Sequence, residues 1–187
     1  MKNFPKSLSR KLQQRERNSA LRKLSLSNDL IDFSSNDYLG FANSEAIFQE
    51  THRYLTDNAI IQNGATGSRL LSGNHSVYQE AERYIASFHQ SESALIFNSG
   101  YDANVGFFSS VPQRNDVILY DALCHASIRD GIQMSNAKAY RFQHNDYEDL
   151  EKHIQKVKTK NSEVYIATES VFSMDGDIAR LPEIVEL

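Results

Sequence analysis

The sequence predicts an α/β fold with a mainly parallel sheet flanked by helices, and three observations lead to that prediction. From residue 93 onward, four short apolar runs alternate with three helical segments; the runs are 94–97, 117–120, 139–142 and 164–167, and the segments lie near 102–109, 127–134 and 149–158. Such alternation indicates parallel β-α-β units with right-handed crossovers. The first run also ends at a Ser-Gly turn, and a histidine follows the second.

These two strand ends hold residues suited to an anionic ligand. The run at 94–97 breaks at residues 98–101 (NSGY), and a helical segment follows at once. A helix that begins directly after a strand presents free backbone N–H groups, which bind anions such as phosphate. His125 lies just beyond the next strand. We therefore expect a ligand at the carboxyl edge of the sheet, where open α/β sheets bind their ligands.

Length and composition limit the class of protein. The chain has 187 residues, enough for one domain with a real core, and 40% hydrophobic with 24% charged residues is ordinary globular composition. The net charge of −4 gives no basic field for nucleic acid, and the single cysteine, Cys124, excludes an internal disulfide. No apolar run has the length of a membrane span or forms a signal-peptide core. We expect a cytoplasmic protein that binds neither nucleic acid nor membranes.

Residues 1–43 are predicted to form an N-terminal arm of a helix and a strand. Residues 6–24 contain seven Lys or Arg side chains and one acid, Glu16, and four leucines at positions 8, 12, 21 and 24 form a sparse helical stripe. This helix either lies solvated on a larger body, or one arginine turns inward to hold a carboxylate or phosphate. A short strand is expected at 30–33, before a loop that ends at Gly40.

Residues 44–187 are predicted to form the large domain. Ser44 is a candidate cap for a first helix, and a clear amphipathic helix is predicted over residues 77–88. Between them, residues 64–73 (GATGSRLLSG) match neither nucleotide-binding glycine fingerprint, so this segment alone indicates an irregular surface loop. A last helix is predicted to begin near Pro182.

Five segments in order resemble the α-oxoamine synthases, which are fold-type I enzymes dependent on pyridoxal 5′-phosphate (PLP). They are residues 32–40 (DFSSNDYLG), 64–73, 98–101, 121–127 (DALCHAS) and 169–177 (ESVFSMDGD). The first of these is most similar to the family member that makes 8-amino-7-oxononanoate for biotin. The resemblance covers essentially the whole chain. It implies the PLP-dependent transferase fold type I, present here only as an N-terminal portion, so that residues 44–187 are an incomplete PLP-binding large domain.

The resemblance also implies an activity. PLP is the electron sink in a decarboxylative condensation of L-alanine with an acyl-CoA thioester, pimeloyl-CoA, or with the pimeloyl-carrier protein. A homodimer is implied, because the loop at 64–73 reaches the partner subunit's site in relatives. Two alternatives remain open. One is a synthase similar to glycine C-acetyltransferase, and the other is a non-catalytic partner subunit of a lysine-bearing homologue.

Four residues match the family's cofactor contacts. Gly100 and Tyr101 resemble the contacts to the phosphate end and ring of PLP. His125 resembles the catalytic histidine that stacks on the pyridine ring and touches the substrate, and Ser173 resembles the serine bonded to the ring oxygen. Without the motif, a histidine in the place of His125 is more typical of a structural residue at a strand end, and the alternative for Tyr101 is core packing.

Substrate contacts are expected from Arg22, Asn36 and His125. Arg22 resembles the arginine that reaches the acyl substrate, although a helix-borne arginine is often only solvated, and Asn36 resembles a residue that positions a substrate carboxylate. Cys124 is interpreted as packing, because adjacent residues at a strand end point apart. The other five histidines show no metal-ligand spacing, so no metal site is predicted.

In one respect the chain departs from the family. PLP chemistry of this type uses a lysine that binds the cofactor and an aspartate beside the pyridine nitrogen, and in the family both follow the Ser173 segment. No lysine of this chain has that context. The family's sheet would also lack its inner strands, leaving exposed edges and apolar faces. We therefore expect an amino-terminal fragment that is inactive and poorly soluble alone.

Overall fold

The computed structural model describes residues 4–22, 24, 31–157 and 162–187, which divide into two compact units, Met1–Asn63 and Gly64–Leu187. The predicted division between residues 43 and 44 stays a prediction. Of the described residues, no helix is both long and apolar enough to cross a bilayer.

The first unit contains helix α1 (Lys6–Arg17), a 3₁₀ turn (Phe41–Asn43) and helix α2 (Glu45–Asp57). Helix α1 has no buried residue. The predicted Ser44 cap is confirmed, because its hydroxyl oxygen accepts the Ile47 N–H at 3.3 Å. The predicted strand at 30–33 is wrong where it can be checked. Leu30 lies outside the described residues, and the next residues form a turn in which Asp32 Oδ1 accepts the N–H of Ser34 at 2.8 Å.

The second unit alternates helices and strands as predicted. Its elements are α3 (Ser76–Phe88), α4 (Gly100–Ser110), β1 (Val117–Asp121), α5 (Ala126–Met134), β2 (Lys138–Phe142), α6 (Tyr147–Val157), β3 (Val164–Ala167) and α7 (Leu181–Val185). The described strands form one sheet of order β2-β1-β3, and both pairings are parallel. In register, Val117 lies opposite Lys138 on one side and Val164 on the other. The parallel sheet and its three strands from 117 onward are confirmed.

The two faces of β1 build two separate cores, because successive side chains of a strand point to opposite faces. On one face Val117 and Leu119 pack with Phe142 of β2 and with Leu150 and Ile154 of α6. On the other face a second cluster holds Ile118, Cys124, Ile128, Ile132 and Ala167. The sheet therefore lies between α6 on one side and α5 on the other, and α4 packs closely on α5.

The strand predicted at 94–97 is not formed, although it is the most apolar of the four runs. This segment belongs to no sheet of the described chain, and Leu95 is 64% exposed. Its backbone is bound by side chains instead: Glu82 Oε1 accepts the Ile96 N–H at 2.9 Å. Glu82 also forms an ion pair with Arg69, in which Arg69 Nη1 lies 2.6 Å from Glu82 Oε1. The hydrogen bonds from Arg69 and from the Ile96 N–H lower the pKa of Glu82 to about 2. A strand needs a neighbouring strand for its ladder, and here none adjoins it.

Exposed apolar surface was predicted for a sheet without its inner strands, and it is observed. Large apolar side chains remain exposed at the surface of the second unit; they include Tyr84, Phe88, Leu95, Val171 and Met174. The glycine-rich segment 64–73 is an irregular loop, as predicted, and closes on itself through the Ser68 carbonyl, which accepts the Gly73 N–H at 2.9 Å.

Candidate active site

Helix α4 begins where the sequence predicts an anion-binding turn. Ser99 caps the helix, and its Oγ accepts the Asp102 N–H at 3.0 Å. Gly100 and Tyr101 are the first two helical residues, and both are exposed. The first N–H groups of a helix have no partner within it. A Cβ placed on Gly100 would meet no atom within 4 Å, so there is open space beside these donors.

Helices α4 and α5 are joined by two side-chain hydrogen bonds. The Tyr101 hydroxyl donates to the Asp130 carboxylate, and this bond raises the pKa of Tyr101 above its ordinary value, with burial as the second cause. Further along α4, Asn104 Nδ2 donates to Ser127 Oγ at 2.9 Å, and Ser127 is fully buried. Tyr101 is therefore held against α5 by its hydroxyl, although 46% of it is exposed.

His125 is the N-cap of α5, and its ring is held through one nitrogen. Nδ1 accepts the Ser127 N–H at 3.2 Å and lies 2.7 Å from Ser127 Oγ. Because Ser127 Oγ already accepts from Asn104, its proton is available to donate to Nδ1. The backbone N–H of His125 donates to the carboxylate of Glu169, just beyond β3. The ring is thus fixed with Nδ1 as acceptor, which leaves Nε2–H as the donor for a ligand.

This arrangement predicts a single tautomer for His125. In the ¹⁵N-labelled chain with a neutral His125 ring, we expect the nitrogen chemical shifts of an Nε2–H imidazole. Ser127→Ala removes the hydroxyl that donates to Nδ1, so the spectrum should shift toward a mixture of tautomers. His153, which contacts Asp149 on α6, serves as the internal control and should be unchanged. An Nδ1–H form of His125 in the unaltered chain would contradict the assignment.

Ser173 lies in a hairpin that follows β3, which we define as residues 170–179. An isolated antiparallel bridge joins Val171 to Ile178, and the Phe172 N–H donates to the Asp177 carbonyl at 2.9 Å. Gly176 closes the turn with φ of +75°, a conformation that favours glycine. Ser173 is exposed. Within the described chain, no hydrogen bond joins it to Gly100, Tyr101 or His125.

A second histidine-centred cluster at the carboxyl edge was not predicted from the sequence. His144 lies just beyond β2, with Nδ1 2.8 Å from Asp121 Oδ1 and Nε2 2.7 Å from Asp177 Oδ2. Asn145 donates its N–H to Asp121 at 2.9 Å and its Nδ2 to Asp177 at 2.5 Å. The signal that identified His125, a histidine directly after a strand of a parallel sheet, applies equally to His144 and would have found it.

Comparison with known proteins identifies the family. Residues 28–187 match the family described as aminotransferase class I and II. The chain belongs to this family. An 8-amino-7-oxononanoate synthase from Emericella nidulans is 43% identical over 191 residues, which cover 97% of this chain and 46% of that protein. The chain therefore spans about half the length of the curated relatives it matches.

Two solved enzyme structures have a similar fold. A serine palmitoyltransferase from S. paucimobilis with bound PLP-myriocin aldimine superposes with a TM-score of 0.82 and 27% identity, covering 97% of this chain and 48% of that one. An 8-amino-7-oxononanoate synthase from Francisella tularensis superposes with a TM-score of 0.64 and 27% identity, covering 86% and 43%. The predicted fold class, a parallel α/β sheet of fold type I, is confirmed, and so is the predicted resemblance.

Two predicted substrate residues of this family member lie in the first unit. Arg22 follows α1 and is exposed, and Asn36 is exposed in the loop before the 3₁₀ turn, where its carbonyl accepts the Tyr38 N–H at 2.9 Å. Their roles remain predictions, as do those of Gly100, Tyr101, His125 and Ser173. In residues 4–22, 24, 31–157 and 162–187, no three His, Cys, Asp or Glu side chains are grouped to hold a metal ion.

Cys124 is a packing residue, as interpreted from the sequence. It is 1% exposed, and its Sγ lies 3.4 Å from the Ala167 carbonyl. Burial, and then the nearby Asp121 carboxylate, raise the pKa of the thiol to about 12. The thiolate is the reactive form. We therefore expect no reaction with 5,5′-dithiobis(2-nitrobenzoate) in the folded chain at pH 8 and one equivalent after unfolding in guanidinium; rapid labelling of the folded chain would contradict this.

Proposed function

We propose that this chain provides part of the active site of an 8-amino-7-oxononanoate synthase. The reaction is the decarboxylative condensation of L-alanine with pimeloyl-CoA or the pimeloyl-carrier protein. The observation that supports this proposal is the junction of α4 and α5. Hydrogen bonds hold the exposed first turn of α4 against Asp130 of α5, and the N–H of His125 bonds to Glu169. The relatives named above support the choice of reaction.

The residues present fit PLP. The open N-terminus of α4 at Gly100 suits the phosphate, because backbone N–H groups and the helix dipole both favour an anion there. The exposed His125 ring suits stacking on a flat aromatic ligand, and the Ser173 hydroxyl can donate to a ring oxygen. When bound, PLP supplies the electron sink for the negative charge that develops at the α-carbon of the amino acid.

His125 then has a defined task in the proposed reaction. With Nδ1 occupied by Ser127, the ring presents Nε2–H, a donor suited to a carboxylate or carbonyl oxygen of the substrate. The ring therefore orients the substrate while its face packs on the cofactor. Arg22 and Asn36 are proposed to bind the acyl substrate and a substrate carboxylate, and the working protein is proposed to be a cytoplasmic homodimer.

No lysine is proposed to bind PLP covalently in this chain. Of the lysines on described elements of the second unit, Lys138 begins β2, at the amino edge of the sheet, and Lys152 and Lys156 lie on α6. None of these positions adjoins His125 in the chain or lies at the carboxyl edge of the sheet. We therefore propose that the 187-residue chain forms no 8-amino-7-oxononanoate by itself.

Cofactor binding tests the proposal directly. Pyridoxamine 5′-phosphate is the suitable probe, because it has the ring and phosphate of PLP but cannot react with surface lysines. We expect the chain to bind it in equilibrium dialysis, with affinity about tenfold lower in His125→Ala, a loss of ~1.4 kcal/mol. His153→Ala is the matched control and should bind as the unaltered chain does. Equal binding by His125→Ala and the unaltered chain would overturn the proposed site.

The substrate is tested separately. Product formation should be absent when the chain is incubated with PLP, L-alanine and pimeloyl-CoA. A panel run on the intact gene product, pairing L-alanine, glycine or L-serine with short and long acyl-CoA thioesters, then separates the related synthases. In that panel, turnover of glycine with acetyl-CoA would replace the proposed reaction by that of a glycine C-acetyltransferase. Product formation by the 187-residue chain alone would overturn the proposal that no lysine of this chain binds PLP.

A further inference from the structure

The hairpin 170–179 is fastened to the sheet by an imidazole between two carboxylates. His144 contacts Asp121 at the end of β1 through Nδ1 (2.8 Å) and Asp177 in the hairpin through Nε2 (2.7 Å). Its ring also lies edge-on to Phe172, with centroids 4.5 Å apart, and Phe172 is only 2% exposed. Phe172 and Asp177 are the two residues whose backbones pair across the turn that contains Ser173.

The charges around His144 favour its protonated form. Burial by itself would lower the pKa of His144, but the hydrogen bonds and charges of Asp121 and Asp177 outweigh it and raise the pKa above its ordinary value of 6.5. Among the described residues these two carboxylates are the charged groups that face the ring; Phe172 and Asn145 are neutral. An imidazolium donates from both nitrogens, so it can bond both carboxylates at once. Asp121 is fully buried and needs that partner.

We propose that His144 is a positioning residue, which as an imidazolium clamps Asp177 to Asp121 and thereby holds the hairpin and Ser173 at the carboxyl edge of the sheet. The role of Ser173 toward the cofactor rests on the proposed function, but the clamp itself does not. Asn145 strengthens the clamp in parallel, because it donates to both carboxylates. Neutral His144 has one N–H, so one of its two carboxylate contacts loses its donor.

The direction of the pH dependence follows from this charge. A group whose pKa is raised on folding stabilises the folded form fully below its unfolded pKa, and that contribution is lost as pH rises through the folded value. The hairpin should therefore be held most firmly below about pH 6.5, the unfolded reference value. It should loosen as His144 loses its proton at higher pH.

Amide hydrogen exchange of the full 187-residue chain, without cofactor, tests the clamp. The reporters are the Phe172 and Gly176 amides, which bond across the turn, and the reference is the amides of β1. In His144→Gln we expect protection of the two reporters to fall about tenfold or more. The loss of one hydrogen bond to a charged group changes the equilibrium between the closed and the open hairpin by a factor of this size. His153→Gln, which removes a histidine 3.9 Å from Asp149, should leave the reporters unchanged.

A pH series on the unaltered chain gives a second and independent measurement. The titration of His144 is followed by its ring resonances, and reporter protection, corrected for intrinsic exchange, should fall over the same pH interval while β1 amides stay constant. Reporter protection that stays flat across this titration overturns the proposal, as does unchanged protection in a folded His144→Gln chain. If His144→Gln does not fold, the pH series decides alone. Because no cofactor is used, a negative result would overturn the clamp alone, and the proposed cofactor site would still be decided by the binding of pyridoxamine 5′-phosphate.

Discussion

Replacement of Asp121 by asparagine is expected to lower the free energy of unfolding by about 3–5 kcal/mol, the usual cost of breaking a buried charge pair. Asp121 is fully buried, and three donors converge on it. Oδ1 accepts the Leu123 N–H at 2.8 Å and contacts His144, while Oδ2 accepts the Asn145 N–H at 2.9 Å. An amide offers one oxygen, so its NH₂ group would face a donor in either orientation.

Urea denaturation followed by far-ultraviolet circular dichroism measures this loss. Asp146→Asn is the matched control, because it makes the same chemical change at a helix cap. Asp146 Oδ1 accepts the Asp149 N–H at 2.9 Å, and asparagine caps helices as well as aspartate does, so a change under about 0.5 kcal/mol is expected. If Asp121→Asn were as mild as this control, the carboxylate would not be the anchor of the His144 cluster.

Local patterns predicted the second unit well, because apolar runs and helical periodicity are visible in the sequence without knowledge of the pairing. Apolar runs gave the strands at 117, 138 and 164, and the helix predicted near 149–158 is formed as α6. The run at 94–97 has the same apolar character but no adjoining strand, so its backbone bonds to Glu82 instead. Sequence shows that a segment can be a strand; it does not show whether a neighbour is present to pair with it.

The sequence indicates which residues follow the strands, but not the hydrogen bonds that join those residues in the candidate site. That His125 follows a strand could be predicted, whereas the bonds from Asn104 through Ser127 to its Nδ1 could not, since they depend on how α4 meets α5. The pairing of Asp121 with Asp177 through His144 joins residues far apart in sequence. Such contacts follow from the tertiary structure, and no local spacing indicates them.

Gly131→Ala is expected to destabilise the chain although it replaces a glycine within a helix. A Cβ at Gly131 would lie 2.9 Å from the Asn104 carbonyl oxygen, 3.0 Å from Phe108 Cβ and 3.1 Å from Val105 Cα. Two of these are backbone atoms of α4, which cannot rotate aside. Overpacking of this kind costs about 1–3 kcal/mol, and the gain in helix propensity of ~1 kcal/mol offsets only part of it. Gly131→Leu should cost more.

Gly106→Ala is the matched control, since Gly106 is also a helical glycine in the same helix pair. There the nearest atom to an added Cβ is Phe97 Cε1 at 3.1 Å, and Phe97 is 41% exposed, so its ring can move away. We expect this variant to be neutral or more stable by up to ~1 kcal/mol. Urea denaturation should therefore show a loss of stability for Gly131→Ala and none for Gly106→Ala, and equal stabilisation by both would show that α4 and α5 do not meet at Gly131.

The same substitution should also alter His125, which makes it a test of the site as well as of packing. Ser127 and Gly131 are four residues apart, so they share one face of α5, and both contact Asn104. Separating the helices at Gly131 lengthens the bond from Asn104 to Ser127, and the Ser127 hydroxyl is then free to turn from His125 Nδ1. We expect Gly131→Ala to shift the His125 ring nitrogens toward mixed tautomers, while Gly106→Ala leaves them unchanged. If Gly131→Ala destabilises the chain but leaves the His125 nitrogen shifts unchanged, the packing of α4 on α5 does not determine the tautomer of His125.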